Sequence, residues 1–174
     1  MSEQTSEPTS EPTSDTTAEL RRKLIRNIAD VALERQHRPP LYDTLCGGLS
    51  DGSAAVKLGA GYDVLAPGMR GCPYHFHRAQ EELFVILEGE GTLRVAGQML
   101  PVSAGDVVFI PPGPDYPHQF INTSQAPMRY ISISTQERPE ICEYPDSGKY
   151  LAYDRGFRGG QRVAANLDYW DGEP

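Results

Sequence analysis

Two histidines and a carboxylate stand close together in PYHFHRAQEELFVILEGEG, residues 73–91: His75, His77 and Glu82. His75 and His77 are two apart, so on a β-strand both project from one face. Glu82 follows a four-residue break and opens the apolar run LFVILE, which Gly89-Glu90-Gly91 closes as a turn, the pattern of a second strand. Two neighbouring strands then aim three ligands at one point. Downstream, in GDVVFIPPGPDYPHQFIN, a strand over 106–110 runs into a proline-rich turn and then into a strand opened by His118. The chain has four histidines, and the remaining one, His37, lies in a polar stretch without a companion. A lone histidine on a strand is ordinarily a half-buried side chain. Three imidazoles and a carboxylate form instead a mixed nitrogen and oxygen set suited to one divalent ion, Mn, Fe, Co, Ni or Zn, and an octahedral ion would keep two positions for water or substrate.

At these residues the chain resembles the cupin superfamily. The first motif of that family is matched by His75-x-His77, four residues, Glu82, six residues, Gly89, with its leading glycine at Gly68 or Gly71. The second is matched by Gly105, five residues, Pro111-x-Gly113, then His118, three residues, Asn122. The turn before His118 departs from the family: four residues, Pro114-Asp115-Tyr116-Pro117, stand where two are usual, and two prolines stiffen the longer turn. The resemblance implies an all-β fold, a double-stranded β-helix or jelly-roll barrel, with His75, His77, Glu82 and His118 as metal ligands. Each motif occurs once, which implies one barrel.

The strands that would carry these residues are legible as short segments rich in Val, Ile, Tyr and Phe at 54–66, 72–77, 82–88, 91–102, 106–110, 118–123 and 127–135, separated by Gly, Pro or Asn. Such a density of short strands suits an antiparallel barrel or sandwich. Residues 1–19, which repeat Ser-Glu-Pro-Thr, read as a disordered acidic leader with nothing to pack. Residues 20–53 read as a helical or irregular extension packing on the barrel at 54–136; a helix is favoured over 18–38, with a strand over 24–28 as the alternative and Pro39-Pro40 ending either. Residues 137–174 carry Tyr144, Tyr150, Tyr153, Phe157, Tyr169 and Trp170, an aromatic area expected to dock on the barrel or on a partner subunit.

Charge excludes some partners. The net charge is −8, and residues 1–19 hold five of the 24 acids and no base, so neither part of the chain is basic. Nucleic acid and anionic lipid therefore lack an electrostatic footprint. No apolar stretch approaches the ~18 residues of a membrane span and the leader has no signal-peptide pattern, so a cytoplasmic location is expected. Three cysteines, Cys46, Cys72 and Cys142, without close spacing argue against a disulfide framework.

With Glu82 pointing inward, Phe84 and Ile86 share its face, while Leu83, Val85 and Leu87 face away and need a second sheet or subunit to cover them, which points to a homodimer. His118, Phe120 and Asn122 share a face in the same way. Tyr62, Phe84, Ile86, Arg94, Tyr116, Gln119 and Phe120 are thus the residues expected to meet a small-molecule substrate. Three functions remain open. A metal-dependent isomerase of sugar phosphates, suggested by the resemblance of EYPDSGK at 143–149 to a group of small bacterial cupins described as sugar-phosphate-isomerase-like, needs a base, for which Tyr74, Glu81 and Glu88 are the nearest groups. An Fe(II) dioxygenase needs none, and a non-catalytic cupin would only hold a small ligand. Arg70, Arg78, Arg94 and Lys149 would favour a phosphate substrate if they converged on the pocket; a wall without them would favour the other two.

Overall fold

A computed structural model describes residues 14–162, and within them the alternating segments fold into antiparallel strands. In chain order the elements are α1 (Ser14–Leu24), a 3-10 turn (Ile28–Asp30), β1 (Glu34–Arg38), β2 (Tyr42–Gly48), β3 (Leu58–Leu65), β4 (Phe76–His77), β5 (Glu82–Glu88), β6 (Glu90–Val95), β7 (Gln98–Ser103), β8 (Val107–Ile110), β9 (His118–Ile121), β10 (Met128–Thr135), β11 (Glu140–Tyr144), β12 (Lys149–Asp154) and β13 (Phe157–Arg162). One sheet runs β1-β2-β3-β10-β5-β8. A second runs β13-β12-β11-β4 and a third β7-β6-β9.

The two smaller sheets join where His75 and His118 exchange backbone hydrogen bonds, His75 N–H to the His118 carbonyl at 3.1 Å and His118 N–H to the His75 carbonyl at 2.8 Å. They thereby form one layer. Its apolar residues Leu93, Val95, Val102 and Phe120 pack against Leu65, Phe84, Ile86, Met128 and Tyr130 of the six-stranded layer. Rings tie the layers together: Phe84 lies 4.9 Å from Phe120, and Phe120 lies 5.3 Å from Tyr130. The expected parity of β5 holds, with Phe84 and Ile86 buried and Leu87 exposed.

The structure differs from the sequence reading in three places. The helix favoured over 18–38 ends at Leu24, and Glu34–Arg38 is an edge strand instead. All five residues of that strand, ERQHR, are exposed, so no apolar alternation marked it; pairing with β2, with Arg35 bridging Asp43 at 2.6 Å, holds it in place. The single strand expected over 91–102 is a hairpin. Its two turn residues, Ala96 and Gly97, have φ of 47° and 76°, the left-handed pair that a tight two-residue hairpin requires. Finally, β1 and β2 are strands of the large sheet, and β11 to β13 extend the second layer through β4. Residues 1–13, most of the acidic leader, and Tyr169 and Trp170 lie outside the described residues. Among those described, no helix is long and apolar enough to cross a membrane.

Asn122, the last residue of the second motif, is a clasp. Fully buried, it donates through Nδ2 to the carbonyls of Leu65 (2.9 Å) and Ala126 (2.8 Å) and accepts through Oδ1 from the Ser124 N–H (3.0 Å) and hydroxyl (2.8 Å). It thus fixes the turn between β9 and β10 to the end of β3. Asn122→Ala removes all four bonds and leaves the buried Leu65 carbonyl short of a donor, so it should destabilise the fold by about 2–3 kcal/mol. Urea unfolding checks this; a loss well under about 1 kcal/mol would show that the turn holds itself.

Candidate metal centre

Each metal-binding residue predicted from sequence stands at or beside the start of a strand. His75 and His77 come from β4 and the bridge preceding it, Glu82 opens β5 of the opposite layer, and His118 opens β9. Donor atoms of His75, Glu82 and His118 lie within 4.8 Å of one another. Glu82 Oε2 is 3.0 Å from His118 Nε2 and 4.0 Å from His75 Nε2, and Glu82 Oε1 is 3.7 Å from His77 Nε2. Glu82 is therefore the hub, and His77 joins through it. The longer turn before His118 does not spoil its aim.

Buried polar atoms ordinarily have partners. Here Glu82 Oε2 and both ring nitrogens of His118 have no well-formed hydrogen bond, although all are buried. A cation between them would satisfy them, and the donor set of three imidazoles and one carboxylate fits a divalent transition ion.

The backbone and a carboxylate orient the rings. His75 Nδ1 faces the Pro73 carbonyl at 2.9 Å, which leaves Nε2 for the centre. His77 Nδ1 faces Glu140 Oε1 at 3.3 Å. Glu140, 1% exposed, also accepts from three successive backbone N–H groups, those of Arg78, Ala79 and Gln80, each at 2.9 Å. Such a carboxylate behind a ligating histidine fixes its tautomer and raises its basicity.

Protonation states agree. Burial, and then the neighbouring His118, lower the His75 pKa to about 4, so its ring is neutral near pH 7. Burial works against ionisation of Glu82, yet His118, His77 and His75 together hold its pKa below the usual carboxylate value. Neutral imidazoles beside a carboxylate are the forms that bind metal.

A cavity of about 250 Å³ opens on His75, Glu82 and His118. Phe84 and Phe120, two of the residues expected to meet a substrate, line it. The other five are placed elsewhere. Ile86 is in the core, and Tyr62 takes a hydrogen bond from Arg129 at 3.0 Å. Arg94 pairs with Asp146 and lies 3.8 Å over the Tyr74 ring, Tyr116 is exposed, and Gln119 donates to the Cys72 carbonyl. Nor does the cavity wall include the three groups considered as bases. Tyr74 is buried under Arg94, Glu81 is exposed, and Glu88 pairs with Arg129 at 3.0 Å.

The wall instead brings in Asp63 and Tyr130, with Gln36, Thr44, Cys46 and Ser132. These six went unseen in the sequence because β1, β2 and the parity of β3 were unknown. The register Cys46↔Asp63↔Tyr130 places Asp63 inward, so its neighbour Tyr62 faces away. Burial raises the Asp63 pKa to about 6, against a hydrogen bond from Ser132 at 3.1 Å. The Tyr130 hydroxyl is held protonated by burial and sits 2.7 Å from where a Cβ on Gly71 would stand, so the backbone passes this close only as glycine. A larger depression of about 760 Å³, lined in part by Ile25, Arg26, Asn27 and Asp30, shares Cys46, Asp63 and Ser132 with the cavity. Arg70, Arg78, Arg94 and Lys149 do not line the cavity, and among the described residues no lysine or arginine does.

Comparison with known proteins agrees with this geometry. Residues 61–134 match the family described as a cupin domain. The chain is similar to auxin-binding protein 1 of Arabidopsis thaliana, 30% identical over 133 residues, 71% of this chain and 64% of that protein. It spans 57% and 64% of the lengths of the curated relatives it matches. A candidate sugar phosphate isomerase from Acidithiobacillus ferrooxidans superposes with a TM-score of 0.76 at 22% identity, over 85% of this chain and 97% of the other. A cupin superfamily sugar phosphate isomerase from Silicibacter pomeroyi superposes with a TM-score of 0.71 at 22% identity, over 84% and 97%. At that identity the likeness is one of fold: a cupin jelly-roll barrel.

Glu140→Gln keeps the shape of the side chain but turns one acceptor into a donor against the backbone N–H groups of residues 78–80. His77 should lose its orientation, and affinity for Zn(II) should fall on the order of 10–100-fold in a chelator competition. Unchanged affinity in a folded variant would show that His77 needs no such partner.

Proposed function

We propose that this chain, a member of the cupin superfamily by its matched domain and its fold, is a metal-dependent enzyme acting on a small organic substrate without a phosphate group. His75, His77, Glu82 and His118 hold one divalent ion. The reaction is proton transfer beside a carbonyl, of the aldose–ketose isomerase kind. Asp63 carries this reading: it is the one carboxylate of the cavity wall other than Glu82, and no residue considered as a base from sequence lines that wall. A divalent ion held at the four ligands supplies Lewis acidity to a carbonyl oxygen.

The chain's own groups supply the rest. With a pKa of about 6, Asp63 is mostly ionised at neutral pH yet basic enough to take a proton. Ser132 holds its carboxylate, and the Tyr130 hydroxyl remains a donor. Phe84 and Phe120 keep that end of the cavity dry. A cavity of about 250 Å³ is smaller than pockets for drug-sized ligands, which start near ~300 Å³. With no lysine or arginine among the described residues of the cavity wall to pair with a phosphate, this protein's substrate parts from that named for the isomerases of like fold. The aromatic wall of Phe84, Phe120 and Tyr130 supports a second reading, an Fe(II) dioxygenase with an apolar substrate.

The test is a panel of unphosphorylated aldoses and ketoses with metal-loaded protein in deuterated water, followed by proton NMR at the carbon beside the carbonyl, with oxygen uptake measured in parallel. Exchange and isomerisation are expected, with a rate that rises with pH through about 6 as Asp63 ionises. Asp63→Asn should cost on the order of 10²–10⁴-fold in rate and remove that limb while metal content stays intact. His75 and His77 replaced together by Ala should abolish metal binding. Oxygen uptake without exchange would select the dioxygenase. Silence in both assays, with a sugar still raising Tm, would leave a binding protein.

We further propose a homodimer. The register pairs Leu83 with Phe109 and Ile133, and Val85 with Val107 and Ile131, so the outward face of β8, β5 and β10 is apolar, with Phe109 66% and Leu87 41% exposed. A second copy covers such a face more readily than water does. Three free thiols suit a cytoplasmic location. Light scattering at micromolar concentration should give twice the 19.2 kDa chain mass, and Phe109→Asp should shift it toward monomer; a wild-type monomer would refute the interface.

A further inference from the structure

The metal centre has a sulfur beside it. Cys142 on β11 pairs in register with His77 on β4, so the two side chains leave the sheet on one face. Its Sγ, a nitrogen of His75 and a nitrogen of His77 lie within 4.8 Å of one another. This cluster shares His75 with the one that contains Glu82 and His118. Cys142 is 1% exposed and in no disulfide, so its thiol is buried and unoxidised. The orphaned atoms Glu82 Oε2 and His118 Nε2 lie in that adjoining cluster, which meets the sulfur's cluster at His75.

We propose that Cys142 is a further ligand of the metal centre, its sulfur binding the ion held by His75 and His77. The proposal rests on the metal-binding reading above. It adds a thiolate to a nitrogen and oxygen set, and the thiol proton leaves to solvent as the ion enters. Glu140, two residues before Cys142 on β11, braces His77 from behind, so one strand sets both the sulfur and the imidazole. A soft donor changes the choice of metal. Zn, Co, Fe and Ni gain from sulfur, whereas Mn and Mg prefer oxygen. A buried cysteine that merely fills space would be replaced by alanine with no change at the metal.

The experiment loads the full chain with Co(II) and records its absorption spectrum. A sulfur-to-cobalt charge-transfer band in the near ultraviolet is expected. In Cys142→Ala that band should vanish while the visible bands of a cobalt site with nitrogen and oxygen ligands persist. The preference for Zn(II) over Mn(II), read by competition, should fall on the order of tenfold in the variant. X-ray absorption on Zn-loaded wild type needs no variant and should show one sulfur at about 2.3 Å. Cobalt bound through nitrogen and oxygen alone, or a charge-transfer band that survives in Cys142→Ala, would overturn the role of Cys142 and leave the metal centre standing. No cobalt binding by wild type would overturn both.

Discussion

The reciprocal backbone hydrogen bonds between His75 and His118 are the constraint on which the site depends. They weld two small sheets into the layer that faces the six-stranded sheet. They also bring two imidazoles from segments 43 residues apart to a ring separation of 4.6 Å. Because the bond lies in the backbone, the side chains are spared for other work. Glu82 then approaches from the opposite layer. Its position is fixed by pairing with Ile110 and Ser134, and by the core packing of Phe84 and Ile86 on the same face of β5. The core thus sets the distance across which a cation is shared.

A second constraint acts from the far end of the described chain. Glu140 is a buried carboxylate that pairs with no lysine or arginine among the described residues, a state that would be costly if it were bare. Three backbone N–H donors and one imidazole compensate it, and the same contacts pin residues 77–80. The chain from β11 onward is therefore part of the site's support. Its hairpins shield β4, a strand of two residues that could not stand alone as a sheet edge. The aromatic residues noticed there in the sequence serve partly in this way: Tyr144 stacks on the His75 ring at 6.0 Å, and the Lys149 ammonium lies 4.6 Å from the Tyr144 ring centre.

The four proposed ligands and the barrel strands were legible because their signals are local. His75-x-His77 needs only the period of a strand, and Glu82 and His118 each begin an apolar run. What escaped depends on long-range register. Asp63 and Tyr62 are adjacent in GAGYDVL, where glycines and apolar residues on both parities give no reference face, and only pairing with Cys46 and Tyr130 turns Asp63 inward. Cys142 and Glu140 meet His77 through a strand pair more than sixty residues apart, which no periodicity encodes. The edge strand Glu34–Arg38 is polar throughout, and its role in supplying Gln36 to the cavity follows from β2 having already found β3.

These late arrivals change the chemistry more than the ligands do. The four proposed ligands alone describe a candidate cation site; the wall decides what can approach it. Asp63 and Glu82 put two carboxylates on one small cavity, while Arg94 and Arg78 are spent on Asp146 and Glu143. A bound divalent ion and two carboxylates would leave the cavity close to neutral, and neutrality without a lysine or arginine offers a phosphate nothing to exchange for its hydration. Burial raises the Asp63 pKa, and no lysine or arginine among the described residues of the cavity wall offsets it. One electrostatic feature therefore underlies both the role proposed for Asp63 as a base and the proposed restriction to small uncharged substrates.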